Sequence, residues 1–366
     1  MAGKRDIGHS PSLSTSSKPG SAAFLKPVVE AGAEPARRPI TRSIIVVGGS
    51  AGSLEAFLSL ARGLPADFPG SVLVVSHVGA NRSHLPGLLA AAGPLPARHA
   101  EDGEPIRPGH IYVAPPDRHM LIDDGRIVLS RGPREHFTRP AIDPLFRSAA
   151  RSHGAAVIGV VLSGGGGDGA SGLEEIARAG GLTLVQEPSD ALFPEMPRTA
   201  AAIIDVDQIV PSRRLAALLT QLASEPAAAP ARKAEASEDM QELEKPSALT
   251  CPDCGGALRE MNGTSLKMYR CHTGHAFAAD ELLVQQLDEV ERAVFIAVRV
   301  LNEHAELCGR MIFDAQRAGR THGIAYWTRL KNEAETQLES LQRFLLRGRP
   351  DAAREDAAPP IAHSAQ

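Results

Sequence analysis

The chain has 366 residues, of which 43% are hydrophobic, 22% charged and 4% aromatic, and its net charge is -4. That length accommodates two domains or one large domain with appendages, and the apolar fraction supports a real core, which excludes wholesale disorder. The weak charge excludes the basic surface expected of a nucleic-acid binder, no run of eighteen apolar residues inserts into a membrane, and no apolar segment follows Lys4 and Arg5 to make a secretory signal.

Two residue types are missing from the first two-thirds of the chain. The first cysteine is Cys251, and no lysine occurs between Lys26 and Lys233. Chemistry in that region therefore uses no thiol nucleophile, no Schiff-base or P-loop lysine and no Ser–Lys dyad. Four cysteines, three of them clustered, do not make a disulfide scaffold for a chain this long, so a reducing, cytoplasmic setting is expected.

In chain order, residues 1–42 mix Ser, Gly, Pro and Ala without an apolar period and are expected to form a disordered tail. Order begins at Ser43. Ser43-Ile44-Ile45-Val46-Val47 is a continuous β-branched run, the pattern of a strand buried on both faces, and 72–75, 156–162 and 182–185 repeat it. Helical patterns at 53–63, 82–91, 142–152, 170–180, 196–203 and 211–223 alternate with these strands. The alternation predicts an α/β fold over 43–223, with a doubly wound, mostly parallel sheet and helices on both faces. Short strand patterns at 111–114 and 126–129, with Asp-Gly turns, predict a hairpin or an edge excursion. An Ala/Pro/Glu/Lys linker is expected over 224–247, a Cys/His module over 248–278, a helical hairpin over 279–347 and a second disordered tail over 348–366. The hairpin is read as helices at 279–308 and 324–347, joined by a polar turn at 319–323. Its apolar stripes are Leu283, Leu287, Val290, Val294, Val298 and Leu301 on the first helix, and Leu330, Leu338, Leu341 and Leu345 on the second.

Ligands of open α/β sheets bind beyond the carboxyl ends of the strands. Three polar side chains are expected there: Ser50 after the first strand, His77 after the second, and Asp168 after the strand ending near Leu162. Ser50 sits in a G-x-S-x-G frame at a strand–helix turn, where flanking glycines expose a hydroxyl and the helix start supplies N–H donors; a plain small-residue turn fits the same frame. Seven histidines lie in this region, and His77 alone directly ends a buried strand. Asp168 is placed to accept the Nδ1 proton of His77 and so orient the ring. A competing assignment takes Gly164, Gly166 and Gly169 as a G-x-G-x-x-G dinucleotide loop, with Glu187 near the end of the next strand, in an oxidoreductase.

Six segments in order carry a resemblance to a known family. They are 45–52 around Ser50, Ser76-His77, 109–120 (Gly109-His110-Ile111-Tyr112-Val113-Ala114-Pro115-Pro116-Asp117-Arg118-His119-Met120), 139–146 (Arg139-Pro140-Ala141-Ile142-Asp143-Pro144-Leu145-Phe146), 161–172 around Asp168, and Met196-Pro197-Arg198. From about 43 to 222 the chain resembles the catalytic domain of CheB-type protein-glutamate methylesterases. The resemblance implies hydrolysis of γ-glutamyl methyl esters, with deamidation of glutamines, on methyl-accepting chemoreceptor-like proteins, and no catalytic cofactor. It implies Ser50 as nucleophile, His77 as general base and acid, Asp168 as orienting carboxylate, and the backbone N–H groups of Ala51 and Gly165 as oxyanion donors. A methyltransferase or a separate response regulator is the further partner it implies.

The chain departs from the family pattern in three places. Ala51 follows the nucleophile where the family has Thr, and Gly165 stands where it has Met, so two side chains beside the oxyanion are lost while both N–H groups remain. The stretch before Ser43 is also too short for the family's phosphorylatable receiver domain. These departures keep a third possibility open, a catalytically silent signalling scaffold.

Beyond the linker, Cys251-Pro252-Asp253-Cys254 with Cys271 and His275 gives C-x-x-C and C-x3-H half-sites, a Cys3His set suited to structural zinc in a ribbon-like module. His272 is the alternative fourth ligand, and a redox C-x-x-C is the alternative chemistry. Cys308 stands apart as a packing residue. The hairpin is open to two uses, a partner or dimer surface or packing on itself alone.

Overall fold

The computed structural model describes residues 42–225 and 245–346, with Lys245 and Pro246 described by backbone alone. The expected tails and most of the expected linker lie outside these residues. In chain order the elements are β1 (Ile44–Gly49), α1 (Leu54–Gly63), β2 (Ser71–Ser76), α2 (Leu85–Ala92), β3 (Ala97–His99), β4 (Ile111–Val113), β5 (His119–Asp123), β6 (Arg126–Ser130) and α3 (Ile142–His153). They continue with β7 (Val157–Val161), α4 (Ala170–Arg178), β8 (Leu182–Gln186), α5 (Glu195–Ile203), β9 (Gln208–Val210), α6 (Ser212–Ser224), β10 (Lys245–Thr250), β11 (Ala257–Glu260), β12 (Met268–Cys271) and β13 (Ala276–Ala278). Two long helices follow, α7 (Ala279–Arg317) and α8 (Ile324–Leu346).

Seven strands form one parallel sheet in the order β3-β4-β2-β1-β7-β8-β9. All six residues of β1 are buried. Ile45 and Val47 enter the core beneath α1, α2 and α6, while Ile44 and Val46 enter the core beneath α3, α4 and α5. Burying one such side chain is worth about 1.5–3 kcal/mol, so a strand apolar on both faces is stable only between two helical layers. The doubly wound expectation therefore holds, and the main sheet is wholly parallel. Between its halves β5 and β6 make an antiparallel hairpin. Asp124 (φ 43°) and Gly125 (φ 70°) form its turn, the left-handed pair a two-residue hairpin favours.

The C-terminal part begins with a four-stranded antiparallel sheet, β10-β11-β12-β13. Strand β10 takes residues 245–250, correcting the expected linker at its C-terminal end. The hairpin follows, with α7 running nine residues past the expected end at 308. Its seam contains Ala305, Cys308 and Ala315 of α7 and Ala334 of α8, all buried. Cys308 is a packing residue, as expected. The first part of the expected stripe is not buried: Leu283, Leu287 and Val290 are 62%, 47% and 49% exposed. At 1.5 Å per residue, α8 reaches only about 35 Å along α7, which is about 58 Å long, so roughly the first two-fifths of α7 has no helical neighbour in the hairpin. No helix of the described residues is long and apolar enough to cross a membrane.

Candidate active site

Strands β1 and β7 lie side by side at the centre of the sheet, and the strand order runs outward from them in both directions. Such a reversal opens a crevice beyond the carboxyl ends, and the turns after both strands border it.

Ser50 follows β1 directly and is half-buried. Its N–H donates to Ser163 O (2.9 Å), while its carbonyl accepts the Ser53 N–H (3.2 Å) and the Ser53 hydroxyl (2.6 Å). Gly52, at φ 74°, closes this turn. Ser163 braces it from the β7 side, donating from Oγ to Ala51 O (2.8 Å) and accepting the Phe193 N–H (2.9 Å). Gly164 lies against the Ser50 turn so closely that a Cβ there would stand 2.8 Å from the Ser50 Cβ and would meet the Met196 sulfur. Met196, fully buried, thus stands beside the serine.

Gly49 and Ser76 are paired across β1 and β2, so Ser50 and His77 leave neighbouring strands at the same level. His77 Nε2 lies 2.7 Å from Asp168 Oδ2. This corrects the expected ring orientation: the carboxylate takes Nε2, and Nδ1 is the nitrogen without a partner among the described residues. The physical reason is the position of Asp168, which is pinned by two backbone donors at the start of α3. Ile142 N–H reaches Oδ2 at 2.7 Å and Asp143 N–H reaches Oδ1 at 2.9 Å. No hydrogen bond joins the Ser50 hydroxyl to His77 among the described residues. Burial pushes the Asp168 carboxyl up, but the nearby His136 charge, the His77 bond and the Ile142 N–H outweigh it and hold it well below the usual carboxylate range.

Ala51 and Gly165 are exposed residues, and their N–H groups donate to no group among the described residues. Their neighbours in the glycine run are all engaged. Gly166 N–H donates to Glu195 (3.2 Å), Gly167 N–H to Glu281 (3.4 Å), and Gly169 and Gly172 N–H to Asp143 Oδ1 (3.0 and 2.7 Å). This overturns the dinucleotide assignment. The donors a pyrophosphate would need are occupied by carboxylates, which would also repel it.

Sequence reasoning missed a buried network behind Asp168. His136 Nε2 donates to Asp143 Oδ2 (3.0 Å), its Nδ1 meets both carboxylate oxygens of Glu281 (2.8 Å each), and Asp168 Oδ1 is 3.8 Å away. Burial lowers the proton affinity of His136, yet Glu281, Asp168 and Asp143 together raise it well above the usual histidine value. No local signal marks this group, because 145 residues separate His136 from Glu281. Asp143 did fall inside one of the segments that carried the resemblance. His119 is a satisfied structural residue, bonded to Pro133 O and accepting the Ala141 N–H.

At the second cluster, Cys251 Sγ and Cys271 Sγ lie 3.6 and 3.5 Å from His275 Nδ1, and Cys254 Sγ lies 3.7 Å from Cys271 Sγ. All four donor atoms fall within 4.8 Å of one another. His272 is outside the set; it is exposed and packs over Gly256.

Fold and geometry together define the chain's class: a doubly wound α/β protein with a serine, a histidine and an aspartate gathered at the carboxyl edge of its central strands. Residues 45–219 match the family model described as CheB methylesterase. A protein-glutamate methylesterase/protein-glutamine glutaminase of Anaeromyxobacter dehalogenans is 38% identical over 180 residues, covering 49% of this chain and 53% of that protein. A shorter relative from Leptospira interrogans is 37% identical over 180 residues, 49% of this chain and 93% of that protein. The crystal structure of the Thermotoga maritima CheB methylesterase catalytic domain matches with 28% identity and a TM-score of 0.48, covering 49% of this chain and 98% of that one. This chain belongs to the CheB methylesterase family. It spans about half the length of the Anaeromyxobacter relative.

Proposed function

We propose that this protein is a serine hydrolase that demethylates glutamate γ-methyl esters, and deamidates glutamines, on chemoreceptor-like signalling proteins. The observation that carries the reading is the 2.7 Å contact between His77 Nε2 and Asp168 beside a serine at the same sheet edge. Family membership and the names of the relatives supply the substrate class.

In this reading His77 Nδ1 takes the Ser50 proton as Oγ attacks the ester carbonyl. The tetrahedral oxyanion is met by the free N–H groups of Ala51 and Gly165. His77 returns the proton to the leaving methoxide, releasing methanol, or to the leaving nitrogen of a glutamine, releasing ammonia. A water deprotonated by His77 then attacks the glutamyl–Ser50 ester, Ser50 regains its proton, and the product is a free γ-carboxylate. Asp168 stays ionised and stabilises the imidazolium. The two free N–H donors are what an active oxyanion site requires and a silent scaffold does not.

Cys251, Cys254, Cys271 and His275 are assigned to a structural zinc ion. A tetrahedral ion with Zn–S of about 2.3 Å and Zn–N of about 2.0–2.1 Å implies edges of roughly 3.8 Å between sulfurs and 3.6 Å between sulfur and nitrogen. The observed 3.7, 3.6 and 3.5 Å fit those edges. The ion would clamp the turns of the antiparallel sheet and takes no part in catalysis.

A fluorophosphonate probe tests the main reading. Wild-type protein is expected to be labelled at Ser50 and Ser50→Ala to lose the label; equal labelling of the two, or none of the wild type, refutes it.

A further inference from the structure

Glu281 belongs to the C-terminal part of the chain, yet its carboxylate ends inside the region that holds Asp168. It is the third residue of α7, where it accepts the Ala278 N–H at 3.0 Å, half of a capping box. The same carboxylate faces His136 Nδ1 at 2.8 Å and Gly167 N–H at 3.4 Å. One side chain thus joins the start of α7, a buried imidazole and the glycine run that leads to Asp168.

The protonation state of that imidazole follows from geometry. Both ring nitrogens of His136 face carboxyl groups, which only accept when ionised, and with both ionised the ring donates twice and is the cation. Its charge sits against Asp143 and Asp168, which are 0% and 1% exposed. Burial, with the Asp168 charge, pushes the Asp143 carboxyl up, so two buried carboxylates this close depend on a compensating cation, His136, to stay ionised together. Burial pushes Glu281 up, but His136 and the two N–H donors bring it below the ordinary glutamate range.

The backbone at His136 is held in place from the C-terminal part too. His136 and Phe137 both adopt left-handed conformations, φ 51° and 58°, which non-glycine residues keep only when contacts enforce them. The enforcing contacts are His136 N–H to Ala276 O (2.8 Å), Ala276 N–H to Arg134 O (3.3 Å), and the Phe137 and Phe277 rings with centroids 4.3 Å apart. Ser265 adds two bonds to Glu174, at 3.1 and 2.6 Å. Among the residues so held, His136 lies 3.8 Å from Asp168. Gly165 remains exposed and the His77 side chain keeps 16% of its surface, so the attachment braces the site and does not cover it.

We propose that Glu281 is a positioning residue for the hydrolase: by holding His136 as a cation it fixes Asp168, and so makes esterase activity depend on the seating of the C-terminal part of the chain. The proposal rests on the Ser50–His77–Asp168 reading and adds to it a control point 113 residues beyond Asp168.

The test is a double-mutant cycle in the full chain, with Glu281→Gln, His136→Asn and the pair. Readouts are hydrolysis of a peptide carrying a glutamyl γ-methyl ester, the rate of fluorophosphonate labelling, and a circular dichroism melt. Glu281→Gln is isosteric and still accepts hydrogen bonds, so the fold is expected to persist. Its kcat and labelling rate are expected to fall at least tenfold, with KM within twofold of wild type. In the His136→Asn background the same substitution is expected to change kcat less than twofold. Glu281→Asp, which keeps the charge, is expected to recover part of the loss. Wild-type kcat in Glu281→Gln overturns the proposal, as does a loss that persists undiminished when His136 is absent. Wild-type protein that takes no probe overturns both this proposal and the hydrolase reading, whereas normal labelling with an indifferent Glu281→Gln overturns this one alone.

Discussion

Asp168 meets His77 through the ring's Nε2, at 2.7 Å, and both oxygens of its carboxylate are already committed to backbone N–H groups at the start of α3. The aspartate is therefore an acceptor three times over, and each acceptance orients it. An amide in its place has one accepting oxygen and turns its NH2 toward an N–H donor. Asp168→Asn is expected to reduce kcat by about 10⁴-fold through the wrong His77 tautomer, the scale seen for such triads. It is also expected to lower stability by about 1–3 kcal/mol through the mismatched buried donors. Steady-state hydrolysis and a urea titration check the two effects; unchanged turnover refutes the role of Asp168.

Gly164 and Gly165 are neighbours with opposite tolerances. A Cβ at 164 would stand 2.8 Å from the Ser50 Cβ and collide with Met196, whereas one at 165 meets only the flexible end of Glu195, at 3.1 Å. Gly164→Ala is expected to cost about 1–3 kcal/mol and to displace Ser50, with loss of probe labelling. Gly165→Ala is expected to melt within about 0.5 kcal/mol of wild type, the usual range for an exposed substitution. Equal melting temperatures for the two variants would show that the loop relaxes around either methyl group.

The elements that the sequence foretold are those whose own residues decide them. The β-branched run at 44–47 and the turn Ser50-Ala51-Gly52 both appear where expected because burial on two faces and a tight turn leave few alternatives. The three-residue strands β3 and β9 lie at the edges of the sheet and take their pairing from neighbours, so they left no pattern. The expected stripe on α7 stopped at Leu301 because the seam beyond it uses small residues, Ala305, Cys308 and Ala315, in place of leucines. The histidine orientation and the His136 network depend on where α3 and α7 begin relative to Asp168, which is tertiary information. The six short segments made Ser50, His77 and Asp168 legible; nothing local announced Glu281.

The charge on His136 has a consequence for stability. Its proton affinity in the folded protein is raised, chiefly by Glu281 and Asp168 acting against burial, while in the unfolded chain it reverts to about 6.5. A raised folded value means that the stabilisation is complete below about pH 6.5 and is lost as pH rises through the folded value. The stability difference between wild type and His136→Asn is therefore expected to be largest near pH 6 and to shrink toward pH 10. Urea titrations across that range check the sign; a difference that grows with pH refutes the cationic pairing.

Zinc is expected at about one equivalent per chain in protein purified without chelator, and Cys271→Ser is expected to abolish it. Zinc-ribbon-scale sites contribute on the order of 10–16 kcal/mol of binding energy that is folding energy for the part they clamp, so stripping the ion should loosen β10–β13. His275 precedes β13, and β13 runs straight into α7, where Glu281 sits. Chelation is therefore expected to lower kcat in wild-type protein by the same route as Glu281→Gln, and to add little in the Glu281→Gln variant. Metal analysis and hydrolysis rates on the same samples check this. Metal-free protein with full activity would separate the zinc cluster from the hydrolase; a chelator effect that is equally large in Glu281→Gln would place its action somewhere other than the His136 link.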